Sequence, residues 1–159
     1  MKITSKKLAA NIQKAINELN AVSLHLMPSD IEIFGLTQSV EDYLQNFTSI
    51  KSITVQFRAE DIVKKLAVTD KLFVFRILQN MLIILFKEKT PMAVEINLQG
   101  KEGKLHINLK HNNPAFSFKN TSKEFLDITY RLEYYGGMIE EIADDGKSSF
   151  ILLLPVALP

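Results

Sequence analysis

The groups of this chain whose types could do chemistry are few. They are three histidines, the adjacent carboxylates Glu140-Glu141 and Asp144-Asp145, and the stretches around Asn80 and His111-Asn112-Asn113. Glu140-Glu141 has the look of an acid–base pair, but neighbours on a strand face opposite ways, so a solvated edge is predicted instead. His106 and His111 fall on opposite faces of a predicted strand, so they form no metal site with Asp144-Asp145. Asp144-Asp145-Gly146-Lys147 reads as hairpin turn chemistry. The absence of cysteine removes disulfides, thiolate nucleophiles and cysteine metal sites together. What remains are two segments to be read together, Phe75 to Glu88 and Leu105 to Phe116.

The elements that must position them follow from periodicity. From Ser5 to Met27 the apolar residues Leu8, Ile12, Ala15, Leu19, Val22 and Leu26 alternate spacings of four and three, a heptad seam on one long amphipathic helix. Pro28 ends it, because proline disfavours helix at the residue before it. Gly35 and Thr37 open a second helix to about Phe47, with Leu36, Val40, Tyr43, Leu44 and Phe47 on one face. Ser52 to Phe57 alternates as a half-buried strand. Thr69 or Asp70 is predicted to cap a helix from Lys71 to about Lys87 whose centre is apolar almost all round, and which is therefore sandwiched. Ala93 to Leu98 and Leu105 to Leu109 form an antiparallel hairpin across Gly100 to Gly103. Thr121-Ser122-Lys123-Glu124 has capping-box spacing and starts a helix to Tyr135, which Gly136-Gly137 stops. Met138 to Ile142 and Ser149 to Leu154 form a last hairpin. Helices on one face of a mixed, mostly antiparallel sheet give an α+β two-layer sandwich, with the N-terminal helix appended. The division is residues 1–30 for that helix and 31–159 for the domain.

A chain of 159 residues can bury enough surface to fold without a metal or a disulfide. Nineteen basic against 18 acidic residues leave a formal charge of +1, so no field draws it to nucleic acid. The longest apolar run, Met81 to Phe86, is far short of the ~20 residues that span a bilayer. The N-terminus lacks the apolar core of a signal peptide, and a cytoplasmic location is predicted.

Several strings, in order, resemble the ATPase fold shared by gyrase, histidine kinases and MutL proteins, and most nearly the bacterial sensor kinases of the nitrate-sensing and lipid-sensing type. Val22-Ser23-Leu24-His25-Leu26-Met27-Pro28 and Phe34-Gly35-Leu36 are similar to the junction that follows the second helix of the kinase dimerisation domain. Phe75-Arg76-Ile77-Leu78-Gln79 resembles the start of the family's pocket helix. Arg131 to Gly137 resembles the end of its last helix, and Leu154-Pro155 its closing Leu-Pro. The resemblance covers nearly the whole chain, and its specificity lies in the order of strings that are individually weak.

The resemblance implies ATP with magnesium, yet the residues that would hold them differ. The family's pocket-helix Glu is matched by Asn80, its magnesium-ligating Asn by Ile84 and its basic pair by Lys87 and Glu88, so only Lys87 agrees. Magnesium takes hard oxygen ligands, and Ile84 has no lone pair. The adenine string Asp-x-Gly-x-Gly-Phe is matched by His111-Asn112-Asn113-Pro114-Ala115-Phe116, where Phe116 alone is kept. The glycine-rich lid corresponds to Ser122-Lys123-Glu124, a poor phosphate cradle. One lost ligand costs about 1–3 kcal/mol. Three lost together cost on the order of 5 kcal/mol, which moves a micromolar site beyond millimolar. No cofactor is predicted.

The reading is a nucleotide-binding-deficient pseudokinase module of two-component signalling that acts through protein–protein contact. Asn80, Ile84, Lys87, His111, Asn112 and Phe116 would form its vestigial pocket. The alternative is a divergent but active ATP-binding domain that supplies phosphate to a histidine elsewhere, using Lys87, Asn80 and Asn112. In a third reading the pocket, with Ile83, Ile84 and Phe116, holds a small apolar or anionic molecule. His25 is a helix-surface or packing residue rather than a phosphoacceptor, since the family's Ser-His-Asp-Leu histidine falls on Leu24. The heptad seam either packs on its own domain or pairs with a partner: a second copy, a histidine kinase or a response regulator.

Overall fold

Five segments with alternating apolar residues build a single five-stranded sheet in the order β1-β2-β3-β5-β4. The structure is a computed structural model that describes residues 11–12, 29–48, 53–87, 92–117, 123–144 and 147–155. The strands are β1 Ile53–Ala59, β2 Met92–Lys101, β3 Lys104–His111, β4 Met138–Asp144 and β5 Lys147–Leu154. The helices are α1 Ser29–Thr48, α2 Val68–Lys87 and α3 Lys123–Tyr134, and a short 3₁₀ turn spans Asp61–Lys65. Strands β1 and β2 run parallel, as a crossover through α2 requires, and every other pair is antiparallel. The α+β two-layer sandwich read from the sequence is the fold observed.

One face of the sheet carries Ile53, Val94, Ile96, Leu98, Leu105, Ile107, Leu109, Phe150, Leu152 and Leu154, all buried. These pack beneath the helices, of which α2 is central. Ten of its residues are buried, from Val74 to Phe86, including the polar Gln79. An all-round apolar helix is stable only with neighbours on several sides, and α1 and α3 flank it. Each fully buried Leu, Ile or Phe contributes about 1.5–3 kcal/mol over its exposed state, so this helix dominates the core.

Two expectations need correction. Helix α2 begins at Val68, not Lys71, because the Ala67 carbonyl already accepts the Lys71 N–H at 3.0 Å, closing the first turn without a Thr69 or Asp70 cap. Gly35 opens the longer part of α1, as expected: it is non-helical, at φ 81°, ψ 172°, a region open essentially to glycine alone, and a shorter helical stretch from Ser29 precedes it across this kink. Buried Ser39 bridges the kink by donating its hydroxyl to the Gly35 carbonyl at 2.8 Å. Strand β1 also runs on to Ala59, and the 3₁₀ turn after it had no sequence signal.

The end of α3 is as expected. Gly136, at φ +69°, donates to the Glu133 carbonyl at 2.9 Å, and Gly137 to that of Leu132 at 2.7 Å. This pair of bonds satisfies the carbonyls a helix end leaves free. The rest of the N-terminal heptad helix, His25, Glu88 and the Thr121-Ser122 cap lie outside the described residues. Within the seam, Asn11 and Ile12 are helical and Ile12 is 52% exposed. Among the described residues no helix is long and apolar enough to cross a membrane.

Candidate functional site

The site residues read from the sequence come from two elements. Asn80, Ile84 and Lys87 succeed one another at four and three residues along α2, so they share one side of it. Their surroundings differ sharply: Asn80 is half-buried, Ile84 is 2% exposed and Lys87, in the last turn, is exposed. Midway along the helix, buried Gln79 accepts from Arg76 Nη1 at 3.0 Å and is also hydrogen-bonded to Tyr43 of α1. Burial pushes the Tyr43 phenol far above its ordinary range, against the weaker opposing effect of Gln79. Those polar groups therefore bind α2 to α1.

The second element is the end of β3 and the turn after it. His111 and Phe116 are both sealed, at 3% and 4% exposure, with their rings edge to face at 5.1 Å between centroids. Neither imidazole nitrogen of His111 has a hydrogen-bond partner among the described residues. Burial holds its pKa below the ordinary value, opposed in part by the Asn113 backbone beside it and then by the charge of Glu141. Asn112 faces solvent, yet its backbone and side chain are both used: its N–H donates to the Ala93 carbonyl at 3.3 Å, and its Oδ1 accepts the Ala93 N–H at 2.8 Å. That reciprocal pair locks the end of β3 to the start of β2.

The turn itself is shaped by Asn113, whose Oδ1 accepts the Ala115 N–H at 3.0 Å while its carbonyl accepts from Phe116 at 3.2 Å. Asparagine before proline is a turn signal. Ser117 then donates its hydroxyl to Glu141 Oε1 at 3.0 Å. Glu140 and Glu141 do face opposite ways, but only Glu140 is fully on the solvated side. Glu141 is half-buried and anchors the turn, a role that no local spacing announces because its partner lies 24 residues away.

His106 is half-buried on the opposite face of β3 from His111, so the two histidines are not brought together. Among the described residues no three His, Cys, Asp or Glu side chains are grouped to hold a metal ion.

The architecture is shared with solved structures. The blue-light-activated histidine kinase of Erythrobacter litoralis EL346 superposes with a TM-score of 0.66 at 12% identity, over 93% of this chain and 50% of that one. The catalytic domain of the histidine kinase ThkA gives a TM-score of 0.59 at 15% identity, over 77% of this chain and 91% of that domain. The fold is that of a histidine-kinase-type ATPase domain. In sequence, the chain is 28% identical over 141 residues to the sensor histidine kinase LiaS of Bacillus subtilis (strain 168), covering 87% of this chain and 39% of that protein. The chain thus spans well under half of that relative's length. No family model matches it. On this ATPase-type fold, Asn80, Ile84 and Lys87 occupy the central helix, and His111 to Phe116 occupy the turn that follows the middle strand.

Proposed function

We propose that this chain is a nucleotide-binding-deficient, histidine-kinase-like module of two-component signalling that works through protein contact. The single observation that carries the reading is Ile84, a sealed aliphatic residue at the position where the resemblance calls for a magnesium-ligating oxygen. His111 supports it. A buried neutral imidazole offers one donor and one acceptor in place of a carboxylate that only accepts, and Phe116 packs against it. These residues do not fit magnesium with ATP.

The exposed seam residue Ile12 supports contact through the N-terminal helix, with a second copy, a histidine kinase or a response regulator as partner. A rival reading, a divergent active ATP-binding domain, rests on Lys87, which is exposed at the end of α2.

A thermal melt with millimolar Mg-ATP separates the two. Binding would raise the midpoint according to RT ln(1 + [L]/Kd). No shift is expected, and a saturable shift in the micromolar range would establish the rival.

A further inference from the structure

We propose that the open face of the sheet at β4 and β5 is a self-association surface, covered in solution by the same face of a second copy. A sheet with helices on one side ordinarily shows polar side chains on the other. Strands β1 and β2 obey this, with Thr54, Gln56, Arg58, Glu95, Asn97 and Gln99 outward. Strands β4 and β5 depart from it. Met138 and Ile142 on β4 are 52% and 46% exposed, and Ile151 and Leu153 on β5 are half-buried on the same face. The register makes them contiguous, since Met138 lies opposite Leu153 and Glu140 opposite Ile151.

The charges across this face identify the occupant. Outward positions form three rows over β3, β5 and β4: Lys110, Ser149, Ile142; then Asn108, Ile151, Glu140; then His106, Leu153, Met138. Within these rows Glu140 lies on β4, Lys110 and His106 on β3, and the apolar line of β5 between them; Lys110 also has Glu95 of β2 opposite it. A twofold axis along β5 lays β4 of one copy over β3 of the other. It brings Glu140 over Asn108 and beside Lys110, while Ile151 and Leu153 meet their own counterparts. Closed twofold pairing needs such self-complementarity, and aligned sheet-on-sheet packing provides the geometry. The N-terminal seam does not supply this cover where it is described, because Ile12 is itself exposed.

The chain has no cysteine, so single cysteines report proximity in the full chain. Ser149→Cys and Ile151→Cys, both on the axis, are expected to give covalent dimers with a short bis-maleimide. Gln56→Cys on the polar side is expected to stay monomeric under the same conditions. Ser149→Cys nearly conserves volume, so it covers the case in which Ile151→Cys fails to fold. Glu140→Lys in the Ser149→Cys background is expected to lower the dimer yield about fivefold or more by setting like charges together, and added Lys110→Glu to restore it. Equal yields from Gln56→Cys and Ser149→Cys would overturn the proposal. So would a Ser149→Cys yield indifferent to Glu140→Lys, which is what a dimer held by the N-terminal helix alone would show.

Discussion

The ring of Phe116 stands edge-on to the imidazole of His111, 5.1 Å between centroids, and both are sealed from solvent. Burial there favours the neutral ring, because a charge would lose its water. The end of β3 is thereby built as core.

The first prediction follows from the proton balance. Burial lowers the His111 pKa below its ordinary 6.5, so the folded state takes up a proton less readily than the unfolded chain does. Stability attributable to the neutral ring is present above 6.5 and is lost as pH falls through the depressed value. Urea midpoints measured from about pH 7 down to about pH 5 should decline, and His111→Gln should flatten that decline. An unchanged slope in His111→Gln would assign the pH dependence to other groups.

The hydrogen bond from Ser117 to Glu141 ties the turn to the outer strand. Ser117→Ala should cost about 0.5–1.5 kcal/mol in chemical denaturation, the net worth of such a bond. Amide exchange at residues 112–117 should quicken more than in α2.

Two glycines are required for different reasons. At Gly35 the backbone is in a glycine-only region, yet a Cβ would meet nothing within 4 Å. Gly35→Ala and Gly35→Leu should therefore cost alike, about 1–3 kcal/mol of backbone strain. At Gly137 a Cβ would lie 2.8 Å from the Leu153 carbonyl oxygen and 3.2 Å from that of Leu132. There the cost should rise with side-chain size, from about 1–3 kcal/mol for Ala upward. Thermal midpoints of the four variants check both halves.

Ile84→Asn would restore an oxygen to the central helix but bury an amide among apolar side chains. A loss of about 1–3 kcal/mol is expected, with no magnesium-dependent stabilisation in return. A magnesium-dependent rise in the midpoint of this variant would show that the surroundings still accept the ion.

Much of this was legible in the sequence because local and global signals agree. The alternation in Val94-Ile96-Leu98 and Leu105-Ile107-Leu109 could serve only a one-sided sheet, and the all-round apolar Phe75 to Phe86 only a central helix. Ile84 and His111 were picked out by matching the chain to the resembled family's motifs, and the structure places both in the interior. What stayed hidden depends on the third dimension. The Ser117–Glu141 bond joins residues far apart in sequence, and the double use of Asn112 needs Ala93 beside it. The short helical stretch from Ser29 to the kink had no signal of its own, while Gly35 is the break that its residue type announces. The apolar outer face of β4 and β5 was masked by reading alternation only for its buried half.

The central claim, that Ile84 and His111 leave no usable nucleotide site, is tested most directly by isothermal titration of the full chain with Mg-ATP. No saturable heat is expected up to millimolar nucleotide, in line with a loss on the order of 5 kcal/mol relative to a micromolar site. A saturable isotherm in the tens of micromolar, abolished by Lys87→Ala, would contradict it.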